Sequence, residues 1–136
     1  MAAPKIANAS GKRKEAVARA TARPGKGVVR INAISLDVWG NDFARMRVQE
    51  PLMIAGPMAA EVDINVTVFG GGWSSQAEAA RLAIAKSLVV YTGSDELRKM
   101  FLDYDRFLLV ADTRRKEPRK FGTHSRARAK RQTSYR

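Results

Sequence analysis

Residues 61–69 alternate strictly: Val62, Ile64, Val66 and Val68 against Glu61, Asp63, Asn65 and Thr67. A two-residue period places the four aliphatic side chains on one face, which predicts a half-buried β-strand over Glu61–Phe69. Glu15–Arg23 alternates in the same way with smaller residues, Val17 and Arg19, Ala18 and Thr21, and predicts a strand ending at Arg23. Pro24-Gly25-Lys26-Gly27 has the residues of a tight turn. Val28–Asn32 then returns as a second strand, so these two are expected to pair as a hairpin. Residues 1–11 read as a short lead into the first strand.

A period of three to four residues marks the helices. Gly70-Gly71-Gly72-Trp73 breaks the long strand, and Ser75-Gln76-Ala77-Glu78 has the spacing of a capping box. Ala77, Ala80, Ile84, Leu88 and Tyr91 then form an apolar stripe, and Gly93 suits the position that closes the helix. Ser94-Asp95-Glu96 begins a short helix carrying Leu97, Met100 and Phe101. Earlier, Asn41 or Asp42 caps a helix over Phe43, Met46 and Arg47, and Pro51 suits the first turn of another that ends at Gly56-Pro57. Phe107–Ala111 is a last apolar run, read as a strand. Strands with helices between and after them give an α+β class: a two-layer mixed β-sheet with helices packed on one face.

Charge changes the picture at the C-terminus. The 23 residues from Arg114 hold ten Lys or Arg and one acid, Glu117, and so carry +9 of the formal +12. The preceding 113 residues hold 15 basic and 12 acidic residues. The chain therefore divides into a nearly balanced body, 1–113, and an extended basic C-terminal tail, 114–136. Such a tail repels itself and cannot bury a core; a densely negative partner would order it, and nucleic acid is the densest common one. Residues 118–136 would span at most about 60–70 Å when extended.

Composition excludes several classes. There is no cysteine, and the one histidine, His124, lies in the tail, so a disulfide framework, a His/Cys zinc site and a core serine-histidine triad are all excluded. No apolar run approaches the roughly 20 residues of a membrane span. The opening Met-Ala-Ala-Pro-Lys lacks the apolar stretch of a signal peptide, and the chain reads as cytoplasmic. An acidic membrane surface is a poor match for the tail, whose large apolar residues are Phe121 and Tyr135.

Three features carry candidate chemistry. Lys12, Arg13 and Lys14 read either as a solvated strand end or as an RNA-facing patch. The Gly70–Ser75 loop feeds a helix start, where free amides and the positive helix end favour an anion. It reads as a sharp structural turn, as an RNA-phosphate contact through Gly71 and Gly72, or as a nucleotide loop. For the last it has a faint resemblance to the Gly-Leu-Gly-Ser-Ser loop of homoserine-kinase-type enzymes, but it lacks the Gly-Lys-Ser/Thr ending of a Walker motif. The tail alternates basic and small residues over Arg126–Arg131, so Arg119, Lys120, Arg126, Arg128, Lys130 and Arg131 are candidate RNA contacts, with Phe121, His124 and Tyr135 as rings for stacking. Asp103 and Asp105 flank Tyr104 and read as loop acids. No nucleophile, base and orienting group assemble, so no catalytic residue, metal site or cofactor is expected. A phosphotransferase would rest on the glycine loop alone, and a free sequence-specific regulator on the tail alone, without a helix-turn-helix or zinc spacing.

Four segments together resemble universal small-subunit ribosomal protein nine, from about Ser10 to Arg136. They are Gly11-Lys-Arg-Lys-Glu-Ala-Val-Ala-Arg19; Pro24-Gly-Lys-Gly27 with Ile31-Asn32; Gly70-Gly-Gly-Trp-Ser-Ser-Gln-Ala77 with Arg81-Leu-Ala-Ile-Ala85; and Lys120-Phe-Gly122 with Ala127-Arg128 and the ending Gln-Thr-Ser-Tyr-Arg136. The Ser-Tyr-Arg ending is similar to the archaeal and eukaryotic branch, whereas bacterial members typically end Ser-Lys-Arg.

The resemblance implies a fold like that of the second domain of ribosomal protein S5, with a left-handed βαβ crossover that departs from the usual right-handed rule. It implies a structural constituent of the small ribosomal subunit. The body would bind ribosomal RNA in the subunit head beside neighbouring head proteins, as a single copy and away from membranes. The tail would reach the P site, where Ser134, Tyr135 and Arg136 contact the transfer-RNA anticodon stem-loop. Tyr135 stands where bacterial members have lysine, so stacking or a hydroxyl hydrogen bond would replace a charge contact there.

Overall fold

Five strands form one mixed sheet in the computed structural model, which describes residues 5–128. The strands are β1 (Ala7–Arg13), β2 (Ala16–Pro24), β3 (Val29–Ile31), β4 (Ile34–Ser35) and β5 (Val62–Phe69), in the order β1-β2-β5-β3-β4. β2 lies antiparallel to both β1 and β5, whereas β3 runs parallel to β5. The helices are α1 (Asp42–Ala55), α2 (Pro57–Ala60), α3 (Trp73–Thr92) and α4 (Asp95–Tyr104), with single 3-10 turns at Leu36–Val38 and Arg106–Leu108. The parallel pair β3 and β5 is connected through β4, α1 and α2, which is a crossover unit.

The expected strands over 15–23 and 61–69 are β2 and β5, but the expected hairpin is not formed. β5 lies between β2 and β3, and the Pro24–Gly27 turn wraps around the end of β5. The cause is local: the Asp63 carboxylate accepts the amides of Lys26 (2.8 Å) and Val28 (2.9 Å), and Gly25 N–H donates to the Glu61 carbonyl. Those bonds hold the turn on β5, and the backbone hydrogen bonds to Asp63, first from Val28 and then Lys26, lower its pKa. The expected lead, 1–11, contains an edge strand. Its period of two is written in Ala7, Ala9 and Gly11, side chains too small to register as a hydrophobic face.

One face of the sheet is covered. Ala16, Ala18, Ala20 and Ala22 of β2 are buried beside Val62, Ile64, Val66 and Val68 of β5. α3 crosses β1, β2 and β5 and packs on its other side against α1. That double burial explains why Ala79, Leu82, Ala83, Ala85 and Ser87 are buried in addition to Ala77, Ala80, Ile84 and Leu88 of the expected stripe, whose last member, Tyr91, is half-buried. The all-alanine row of β2 lets the helix come close.

Several element ends match expectation. The Asn41 side chain accepts the Ala44 amide at 2.8 Å, the Ser94 hydroxyl accepts the Leu97 amide at 3.3 Å, and Gly93 closes α3 in the left-handed region. Three do not. Pro51 lies buried inside α1 rather than starting a helix, and Pro57 opens the short α2. α3 begins at Trp73 with Gly72 as its cap, because Gly72 is already extended (φ −96°, ψ 173°) and its carbonyl accepts the Gln76 amide; Ser75 sits inside the first turn. The run Phe107–Ala111 is no strand: Asp105 accepts the Phe107 amide and starts a 3-10 turn that buries Leu108.

Candidate nucleic-acid interface

The β1–β2 turn and the glycine loop meet at one end of the molecule. Gly70 (φ +77°) packs on Glu15 so closely that a Cβ there would lie 2.5 Å from the Glu15 carbonyl oxygen. Gly71 (φ +63°) rests in the same way on Ala16, where a Cβ would meet the backbone nitrogen at 3.1 Å. The Gln76 side-chain amide donates to the Gly70 carbonyl at 3.1 Å and ties the loop to its helix. Exposed Lys12 and Lys14 thus share an end with Gly71, Gly72 and the start of α3, which no side chain caps. The positive end of a 20-residue helix and two lysine ammonium groups here favour an anion.

Arg13 has a different setting from its neighbours. Its strand position turns it toward the helical layer, where Nε donates to Glu78 Oε2 at 2.7 Å and Nη2 lies 3.4 Å from Asp112 Oδ2. Asp112 also accepts the Arg114 amide at 3.0 Å and pairs with the Arg114 guanidinium at 2.7 Å. These bonds, those from Arg114 foremost, hold the Asp112 carboxyl well below the usual carboxylate range and raise the Arg114 pKa. The chain between Leu108 and the tail is therefore fastened to β1 and α3. A groove of about 590 Å³ beside the fastening is lined by Arg13, Lys14, Glu15, Arg114, Arg115 and Lys116. Arg115 and Lys116 are additions to the residues that sequence reasoning singles out, although the unbroken basic run from Arg114 carries the signal.

Ala111–Lys120 has no helix or strand, and Phe121–Ser125 forms a turn. Arg119, Lys120, Arg126 and Arg128 are all exposed. The Thr123 hydroxyl lies 2.6 Å from the carbonyl oxygens of both Lys120 and Arg126, and Arg128 pairs with Glu117. The Phe121 ring is fully exposed. Lys130, Arg131, Ser134, Tyr135 and Arg136 lie outside the described residues. Among the described residues, no group of three or more His, Asp or Glu could hold a metal ion, and no helix is long and apolar enough to cross a membrane.

The family model described as ribosomal protein S9/S16 matches residues 11–136. This chain is a member of that family. It is 48% identical over 132 residues to small ribosomal subunit protein uS9 of Desulfurococcus amylolyticus, covering 97% of this chain and 94% of the relative. It is 46% identical to the uS9 proteins of Methanococcus vannielii and Methanothrix thermoacetophila, covering 97% of this chain and 99% of each. Members of the S9 family are structural proteins of the ribosome, and this chain is not an enzyme. The glycine loop is, in structure, a sharp turn that leads into a helix start without a side-chain cap.

Proposed function

We propose that this chain is built into the head of the small ribosomal subunit, its body, 1–113, held by ribosomal RNA and its tail, 114–136, extended to the P site. The observation that carries the reading is the end-to-end match to the S9 family, which includes the basic tail. The geometry supports it. Lys12, Lys14, Gly71 and Gly72 offer ribosomal RNA a cationic end with free helix amides, and Arg13 acts as the ion-paired anchor beneath them. Arg119, Lys120, Arg126, Arg128, Lys130 and Arg131 continue the charge along the tail, and Ser134, Tyr135 and Arg136 form the contact to the anticodon stem-loop of P-site transfer RNA. Ordering such a tail costs about 1–2 kcal/mol per residue of backbone entropy, which many phosphate contacts offset.

The same reading puts neighbouring head proteins against the exposed apolar residues Phe43, Met46 and Trp73, which line a groove on α1 and the start of α3. The chain works as a single copy in the cytoplasmic ribosome, without a cofactor. The crossover from β3 to β5 takes the left-handed sense that the family resemblance implies.

Sedimentation of tagged protein from native lysate tests the reading. Co-migration with small subunits is expected; full-length protein remaining at the top of the gradient overturns it.

A further inference from the structure

The face of the sheet turned away from the helices is open, and Lys12 alone of its residues is among the RNA contacts expected from the sequence. In register, the outward rows are Lys12–Val17–Phe69, Ser10–Arg19–Thr67, and Asn8–Thr21–Asn65–Arg30. Arg23 stands outward beside Asp63 at the end of β2. Lys12, Arg19, Arg23 and Arg30 are exposed, and they belong to three different strands. The acid among these outward positions is Asp63, which accepts the amides of Lys26 and Val28 and faces Arg30, so the cations outnumber it. The Arg19 guanidinium lies over the Phe69 ring, 5.8 Å from its centroid, and that ring is half exposed. Asn8, Ser10, Arg19 and Thr21 line a shallow depression of about 460 Å³ beside it.

We infer that this open sheet face is a second RNA-docking surface, joined to the glycine-loop end through Lys12 and distinct from the tail, that takes an RNA segment carrying an unpaired base. The inference rests on the ribosomal reading above and adds the surface to it. Four cations on three strands, facing the single carboxylate of Asp63, leave an excess of positive charge that matches a phosphate backbone laid across the sheet. Asn, Ser and Thr hydroxyls and amides between them match base edges and 2′-hydroxyls. An aromatic ring with an arginine already over it is a stacking site for a base, which displaces or sandwiches against the guanidinium. A protein partner for this face would have to bring acidic side chains against all four cations; an RNA backbone brings the charge by default.

The test uses the full chain and a transcript of the small-subunit ribosomal RNA head domain as probe, with affinity measured across salt concentrations. One variant combines Arg19→Gln, Arg23→Gln and Arg30→Gln. A control removes the same charge from the helical side through Lys86→Gln, Arg98→Gln and Lys99→Gln. The face variant is expected to bind at least tenfold more weakly, with its salt slope reduced by roughly 0.7 for each phosphate left without its cation. Phe69→Ala is expected to weaken binding about fivefold or more with the salt slope unchanged, and Phe69→Tyr to restore it. Face variants that match the parent chain, or a control that weakens binding as much as they do, overturn the inference. So do face variants that bind the naked transcript normally yet fail to enter small subunits, since the face would then meet a protein. Failure of the parent chain itself to bind the transcript instead sinks the ribosomal-RNA reading as a whole.

Discussion

The backbone at Gly11 lies directly on the backbone at Ala79. A Cβ at residue 11 would fall 2.3 Å from the Ala79 carbonyl oxygen and 2.8 Å from the Ala83 nitrogen. Both obstacles are backbone atoms of α3, so neither can swing away. This close approach lets the edge strand β1 join the sheet under the helix, and it sets Lys12 outward, Arg13 inward and Lys14 in the turn. Gly11→Ala is therefore expected to destabilise the protein by about 1–3 kcal/mol through overpacking. A lower denaturant midpoint with an unchanged slope checks it; a midpoint equal to that of the parent chain contradicts the close approach.

Arg81 lies at the junction of three elements. Its side chain is 7% exposed and pairs with Glu50 of α1 and with Asp105, at 3.0 Å, where α4 passes into the 3-10 turn. Removing it leaves Asp105 without its guanidinium partner and Glu50 with the longer 3.7 Å pairing to Arg47. Arg81→Ala is expected to cost about 3–5 kcal/mol in equilibrium unfolding. Arg81→Lys should recover only part of that, because one ammonium cannot bridge both acids as a guanidinium fork does. Full recovery by lysine would show that charge alone matters.

Asp63 links stability to pH. Its pKa is lowered in the folded chain by the amides of Val28 and Lys26. On acidification the unfolded chain takes up the proton first, near the ordinary carboxylate value of about 3.9. The stabilisation is thus complete above that value and disappears as pH falls through the lower folded value. Asp63→Asn is expected to melt below the parent chain at neutral pH, with the gap closing as pH falls below about 4. Melting curves over that range decide it, and a gap that widens in acid would reverse the sign of the argument.

The tail beyond Pro118 is expected to be dispensable for folding. The fastening of the tail root, Arg13 with Asp112 and Asp112 with Arg114, lies upstream of it. Among the described residues past that point, the ion pair of Arg128 goes to Glu117, itself in the tail. A chain ending at Pro118 should keep the thermal transition of the full chain; disappearance of that transition would place core contacts in the tail.

Legibility in the sequence follows side-chain size. β5 and α3 are readable because Val62, Ile64, Val66, Val68, Ile84 and Leu88 write their periods in large letters. β1 is not, because Ala7, Ala9 and Gly11 face the core with almost no side chain. A β2–β3 hairpin is expected in error, since a turn sequence reports that the chain reverses, not which strand fills the space between. Asp63, which directs that choice, looks like an ordinary outward position of an alternating strand. Residue type places the helix start at Ser75, while Gly72 wins by already having the extended backbone a cap requires. At the candidate interface, the run Lys12–Lys14 is visible as charge. Only the fold separates the two exposed lysines from the arginine held by Glu78 and Asp112.

The central claim, that the body anchors the chain in the small subunit while the tail serves the P site, is tested most directly by transfer-RNA binding. Small subunits carrying the full chain or the chain ending at Pro118 would be purified and their P-site affinity for transfer RNA compared. Both chains are expected to co-purify with the subunit, and P-site affinity is expected to fall only in subunits with the shortened chain. Equal affinity in the two, or absence of the shortened chain from the subunit, would contradict this division of labour.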